Sequence, residues 1–322
     1  MKNRFCLAFW RPLGYKQIRL FHSFALFACL ILLLGSSCLA LIEDEFPDFT
    51  AMPVMNGLLV GDSVSRVHVS LTGNLNDSVP RIVDNAFVTI EDTRQVVDTL
   101  TYTGDGWYQG KRKAEYGEIY TCRASIPGYD QMVARATIPL PTLIDSFVYT
   151  ELAIIDEMGY ELSSVEFRIP NNVNSKQYWA VELVLDGLWP EYDPHLNAYE
   201  YVKDVRPGYI WMFAEQDPVL LHEAAPLTVF SNNRMQEEFY WVKVYYDSKF
   251  VFDTDETTPY IQLKSIDEPY YKYVKQYHLY EIAGEITLGK GMQKYPLYSN
   301  VTNGTGVLAG CAITRKELLK PM

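Results

Sequence analysis

Few side chains in this sequence are suited to nucleophilic, acid–base or metal chemistry, and they are scattered. Five cysteines and five histidines stand among 322 residues. No C-x-x-C, no His/Cys zinc spacing and no H-E-x-x-H occurs, so no dithiol or zinc site is encoded locally. Ser63, preceded by Gly61 and Asp62, would act as an esterase-type nucleophile only with a later Asp-x-x-His pair. None of His68, His195, His222 or His278 has an aspartate three residues before it, so 61–64 is expected to be a turn between strands. Gly304-Thr-Gly306-Val-Leu-Ala-Gly310 has one residue too many for a dinucleotide loop and leads into a strand-like stretch. Its glycines are expected at a tight turn or bulge. Asp253, Asp255 and Glu256 offer oxygen ligands of the kind calcium takes, but a solvated turn is the simpler role. Acidic pairs are common throughout the chain and single out no glycosidase site. No Walker loop and no G-x-S-x-G elbow is present. The expectation is a chain without catalytic residues, metal site or cofactor, which is not an enzyme.

The charge is unevenly spread. Lys plus Arg number 28 and Asp plus Glu 40, a net charge of −12. Clustered bases are what phosphate backbones require, so nucleic acid is not an expected partner. Lys2, Arg4, Arg11, Lys16 and Arg19 fall in residues 1–37, which hold no acid, so the rest is more acidic still. Behind the bases runs Phe24-Ala-Leu-Phe-Ala-Cys-Leu-Ile-Leu-Leu-Leu34, then Gly35, Ser36, Ser37 and Cys38. The apolar run is shorter than the roughly 20 residues that span a bilayer, and with its basic and small-residue flanks it reads as a secretory signal.

Leu34-Gly-Ser-Ser-Cys38 resembles the lipobox of bacterial lipoproteins. The resemblance implies that 1–37 is a signal peptide and that Cys38 is acylated as the first mature residue. Buried acyl methylenes contribute about 0.8 kcal/mol each, enough for permanent anchoring. Residues 38–53, with Glu43, Asp44, Glu45 and Asp48, are expected to be an acidic tether. Cys6, Cys29 and Cys38 belong to the leader and its cleavage site. Cys122 and Cys311 each sit in alternating runs beside apolar neighbours, as buried free thiols do.

From 54 to 141 the pattern is short, alternating and rich in Val, Ile, Thr and Tyr, with turn signals every 8–12 residues, as in an immunoglobulin-like β-sandwich. Pro139-Leu-Pro141 supplies no ladder N–H at its prolines and marks the domain boundary. A second β-sandwich is expected over 142–322, with strands near 143–151, 164–169 and 178–186. A hairpin is expected from 239–244 to 249–253 through Asp247-Ser248. Ser265-Ile-Asp-Glu268 has the form of a capping box for one amphipathic helix near 266–283. Tyr270, Tyr273, Val274 and Tyr277 form its apolar stripe, and Gly284 is suited to end it. The chain is thus expected to be all-β, with two sandwiches and one helix.

Residues 187–225 read as irregular and aromatic. Long loops without regular structure are often functional, and Trp and Tyr are favoured interface anchors that also stack on sugars. Trp189, Tyr192, Tyr209 and Trp211 are therefore the candidate partner or ligand contacts.

Several segments together resemble one family. Asn85-Ala-Phe-Val-Thr-Ile-Glu-Asp92, Gly106-Trp-Tyr108, Gly117-Glu-Ile-Tyr-Thr-Cys122, Ala136-Thr-Ile-Pro139 with Ile144-Asp-Ser146, Phe230-Ser-Asn-Asn233, and Tyr298-Ser-Asn300 with Gly304-Thr-Gly306 fall in the order of its motifs. It is the Bacteroidota outer-membrane lipoprotein group catalogued as domain of unknown function 4249. The resemblance implies location and company: a lipid-anchored protein of the outer membrane, accessory to a TonB-dependent transporter; the acids at 43–48, a few residues past Cys38, suit either export to the cell surface or a plain solvated tether. The alternative is a stand-alone surface adhesin or glycan-binding lipoprotein, with a glycan or peptide as the possible ligand. No reaction is implied, because the family has no established catalytic motif.

Overall fold

The computed structural model describes residues 50–74, 79, 81–223, 228–252, 257–284 and 296–319. Residues 1–37, read above as a signal peptide, Cys38 and the acidic stretch 43–48 lie outside the described residues, as do Asp253, Asp255 and Glu256.

The first half is built from β1 (Pro53–Val60), β2 (Val64–Leu71), the two-residue β3 (Arg81–Ile82), β4 (Phe87–Glu91), β5 (Val97–Gly104), β6 (Trp107–Lys113), β7 (Ile119–Ser125) and β8 (Met132–Thr137). Period-two alternation turns Met55, Leu59, Val67, Val69, Val88 and Ile90 inward. With β3 set aside, the strands run β1-β2-β6-β5 and β4-β7-β8. That is the constant-type immunoglobulin order, four strands against three. β5 pairs with β6 through one half and with β4 through the other, so it joins the two layers. The β5–β6 turn has Gly104, Asp105 and Gly106 all at positive φ, a run that glycine makes feasible. Residues 61–64 form the β1–β2 turn, closed by Ser63 N–H donating to the Val60 carbonyl.

The second half holds β9 (Asp145–Ile155), β10 (Glu161–Pro170), β11 (Tyr178–Asp193), β12 (Ala198–Gly208), β13 (Val229–Ser231), β14 (Phe239–Tyr246), β15 (Thr257–Ile266) and β16 (Leu308–Glu317). Its helices are α1 (Ser248–Val251) and α2 (Glu268–Gly284). β14-β10-β9 form a three-stranded sheet facing β12-β11-β15-β16. Between them lies a core that includes Trp179, Val181, Leu183, Phe167, Val244 and Leu263. On the other side of β11, Tyr178, Ala180, Ile266 and Cys311 meet α2 through Tyr270, Tyr271 and Val274. β11 is therefore buried on both faces near its start.

Three expectations are corrected. First, 187–225 is not wholly irregular: β11 runs on to Asp193 and returns as β12, in register from Leu183–Gly208 to Asp193–Ala198. Neither face of this arm is buried, so the alternation of Tyr199-Glu-Tyr201-Val-Lys203 lacks the buried-against-exposed contrast that marks a half-buried strand. Second, 239–253 is not a hairpin. The Asp247 carboxylate accepts the N–H groups of Lys249 and Phe250 and caps α1, and β14 pairs with β10 instead. Third, Ser265 is not the helix cap. It belongs to β15, and Asp267 caps α2 by accepting the Tyr270 N–H at 3.1 Å. The packed stripe shifts accordingly to Tyr270, Tyr271 and Val274, leaving Tyr277 exposed and stacked on Tyr273.

The last strand returns to the first. β16 pairs antiparallel with β15 and parallel with β1, where Gly57–Val60 lie beside Leu308–Cys311. Val301 and Leu308, far along the sequence, complete the core of the first sandwich.

Candidate functional site

Two places stand out by their geometry: the seam where the halves meet, and the arm formed by β11 and β12.

At the seam, glycine and amide chemistry lets backbones touch. A Cβ on Gly310 would lie 2.1 Å from the Thr137 carbonyl oxygen, and one on Gly306 would lie 2.2 Å from that of Met55. Asn300 laces the approach: its amide donates to the carbonyls of Arg135 and Leu308, and its Oδ1 accepts the Leu308 N–H. The buried Asp267 carboxylate accepts the N–H of Thr137 at 3.1 Å and of Gly310 at 2.9 Å, besides that of Tyr270. Burial pushes its pKa up to about 6, against the pull of these donors. Beside it, Trp179 Nε1 donates to Thr142 Oγ1, which shares a 2.7 Å hydrogen bond with Ser265 Oγ.

A cleft of about 440 Å³ opens over this seam, bounded by the 139–142 link, the 172–177 loop and the start of α2. Asn232 organises the loop. Its amide donates to Asn171 Oδ1 and to the carbonyls of Asn172 and Ser175, and its Oδ1 accepts the Gln177 N–H. The Tyr178 ring lies tilted against that of Tyr271 at 4.7 Å, and the buried Glu223 accepts from Ser231, Tyr271 and Lys275. Burial alone would raise the Glu223 carboxyl, but hydrogen bonds from Lys275, Tyr271 and Ser231 outweigh it and hold the pKa below the usual value.

The arm is different in kind. β15 pairs with β11 only as far as Gly187, so beyond that point β11 has β12 alone. The register puts Leu188, Pro190, Tyr192, Tyr199, Tyr201 and Lys203 on one face. Trp189, Glu191, Asp193, Glu200, Val202 and Asp204 share the other. Tyr199 is 70% exposed and Tyr201 63%. One side is thus largely aromatic and the other acidic.

The four contacts read from sequence do not converge. Tyr192 lies on the aromatic face, its ring edge-on to Tyr199 at 5.4 Å and its hydroxyl donating to Asn197. Trp189 lies on the opposite face, under Arg206, with Nε1 donating to the Asp204 carbonyl. Trp211 bridges to the second sheet by two 2.9 Å backbone bonds with Tyr245. Tyr209 is 73% exposed, near Phe250. Sequence reading missed Tyr199 and Tyr201, although Tyr199-Glu-Tyr201-Val-Lys203 alternates. It also missed Asn232 and Asp267 as organising groups, and for their partners no local signal exists.

Cys122 and Cys311 are buried and free. Burial pushes their thiols up to about 12 and about 11 respectively, so neither is a ready nucleophile.

The family model described as domain of unknown function (DUF4249) matches residues 41–317. The chain belongs to this family. The DUF4249 match takes in both sandwiches, the arm and the seam. No curated protein matches the chain. Among solved structures, a Salmonella alpha-2-macroglobulin mutant is similar at 12% identity and a TM-score of 0.22, over 68% of this chain and 14% of that one.

Proposed function

We propose that this DUF4249 protein is a non-catalytic, lipid-anchored binding protein of the outer membrane. It is held there through Cys38, sits at the cell surface, and docks on a TonB-dependent transporter in a Bacteroidota envelope. The bare aromatic face of the β11–β12 arm carries the docking part of this reading. A ribbon that exposes Tyr192, Tyr199 and Tyr201 together costs solubility unless something covers it, and clustered aromatic surface is the usual anchor of a protein interface. The acidic reverse face keeps the free ribbon soluble and biases its orientation on a partner. The lipobox-like segment ending at Cys38 supports the anchoring part.

The test is a mild-detergent pull-down of tagged protein from its own envelope. Wild type is compared with Cys38→Ala and with the double variant Tyr199→Ser, Tyr201→Ser. The expected result is co-purification of a transporter barrel with wild type and its loss with both variants. Wild type recovered in membranes but alone would replace this reading with that of a stand-alone adhesin, for which the same rings would serve as a sugar-stacking surface.

A further inference from the structure

We infer that the cleft between the 139–142 link and the 172–177 loop binds a small zwitterion: a free amino acid or a short peptide with both termini charged. The inference is independent of the docking reading, because the arm contributes nothing to this cleft.

The first observation is that the wall is built in advance. Asn232 is 8% exposed, and both its donors and its acceptor go to holding the loop: Asn171, Asn172, Ser175 and Gln177 are all tied to it. Gln177 Oε1 also accepts the Asn172 N–H at 2.7 Å across the loop. A short polar loop with this much internal bonding is fixed before any ligand arrives, which removes an ordering cost from binding.

The second is the set of charges lining the cleft: Lys176, Glu268 and the buried Asp267, whose carboxylate oxygens are already taken by the N–H groups of Tyr270, Thr137 and Gly310. Lys176 stands on the loop and Glu268 at the start of α2. Among the described residues Lys176 makes no ion pair. Among the described residues Glu268 meets the exposed Lys272 at 3.3 Å and the Tyr178 hydroxyl at 3.4 Å, which leaves acceptor positions open. No ion pair closes between Lys176 and Glu268 themselves. A cation and an anion that line one cleft without pairing discriminate by charge pattern. A ligand with one charge is attracted by one group and repelled by the other. A neutral ligand gains from neither. A zwitterion gains from both, its carboxylate toward Lys176 and its ammonium toward Glu268.

The third is what remains of the lining. The polar groups on the floor, Thr142, Ser265 and Trp179 Nε1, are satisfied by one another. Discrimination therefore falls to the rim. There Leu140, 69% exposed, and Pro139 give an apolar wall for a side chain. A volume of about 440 Å³ lies within the range of small-ligand sites.

Isothermal titration calorimetry on the full chain in mild detergent tests this, with leucine and Leu-Gly as probes and N-acetyl-leucine, leucinamide and glucose as controls. Leucine and Leu-Gly should bind, and the two blocked leucines should bind at least about tenfold more weakly. Lys176→Ala and Glu268→Gln should each lose about tenfold at an unchanged melting temperature, while the exposed Lys111→Ala should bind as wild type. The inference is overturned if neither zwitterion gives heat up to about 10 mM. It is equally overturned if the blocked forms or glucose bind as well as leucine, or if Lys176→Ala binds like wild type. A transporter recovered in the pull-down is unaffected by any of these outcomes, so the two readings fail separately.

Discussion

Asp267 and Gly310 bond to each other twice. The Gly310 N–H donates to the Asp267 carboxylate at 2.9 Å, and the Asp267 N–H donates to the Gly310 carbonyl at 3.1 Å. This reciprocal pair ties the start of α2 to β16, and the same carboxylate oxygen reaches Thr137 at the end of β8. A helix, the last strand and the first sandwich thus converge on one side chain.

Asp267→Asn replaces an oxygen that accepts two N–H groups by either one acceptor short or an amide donor facing them. Buried donors left unmet cost about 1–3 kcal/mol each, so a loss of about 2 kcal/mol or more at neutral pH is expected in urea unfolding. The pH dependence follows from the raised pKa of about 6, against 3.8 for the free side chain. Between those values the native state holds a proton that the unfolded chain releases. The stabilisation from this group is therefore full below about pH 4 and is lost as pH rises through 6. The gap between wild type and Asp267→Asn should widen as pH falls from 7 to 5. A gap that narrows would refute the assignment.

Gly310→Ala should be among the most damaging small substitutions in the chain. The new methyl would meet the Thr137 carbonyl oxygen at 2.1 Å, and its nearest neighbours are all backbone atoms of Thr137 and Ile138, which leaves nothing flexible to give way. A loss above about 3 kcal/mol, or failure to fold, is expected. Gly128→Ala is the control: its φ of +85° is strained for alanine but nothing lies within 4 Å, so about 1 kcal/mol is expected. Thermal melts of the two variants check the contrast.

Asn232→Ala removes the hub of the 172–177 loop. It strands the carbonyls of Asn172 and Ser175 and the N–H of Gln177. A global loss of about 2 kcal/mol is expected, together with hydrogen exchange at Gln177 that quickens more than in the sandwich cores. Equal quickening everywhere would show that the residue serves the fold as a whole rather than the loop.

Cys122 and Cys311 should be silent toward iodoacetamide at pH 8 in the native chain, since both are buried and their thiols are raised to about 12 and about 11. Both should label once denaturant is added. Mass spectrometry after pulse labelling distinguishes this from labelling of the folded protein.

The arm variant Tyr199→Ser, Tyr201→Ser should leave stability within about 0.5 kcal/mol of wild type, because both rings are mostly exposed. A large loss in melting would mean that the rings support the fold, and loss of partner binding in that variant would then say nothing about docking.

Much of the fold was legible wherever one face of a strand is wet and the other dry. Ala86 to Glu91 shows it: Val88 and Ile90 point inward and Thr89 and Glu91 do not, as the alternation requires. Legibility failed where that contrast vanishes. The arm has two wet faces, so the alternation in β12 sets one exposed face against another and does not announce a strand. At 247 the sequence carries a turn signal that suits a hairpin and a helix cap equally, and β14 found its partner in β10, about 70 residues earlier. The choice of Asp267 over Ser265 as the cap was likewise not local. Ser265 is held in β15 by its pairing with Ala312 and by Thr142, so the helix starts at the next polar side chain.

The sequence by itself determined the acidic composition that follows a basic and then apolar stretch, the β-rich class with one helix, the turn at 61–64 and the inward set of the first sandwich. Each of these depends on residues close together in the chain. Tertiary structure alone decided the parallel pairing of β1 with β16, the convergence on Asp267, the cleft beneath Lys176 and the separation of Trp189 from Tyr192 on opposite faces. The physical reason is one of range. Periodicity and capping record how a segment meets water or its own backbone. Which carbonyl fills the space above Gly310, or which loop Asn232 holds, depends on groups more than a hundred residues away in the first case and more than fifty in the second.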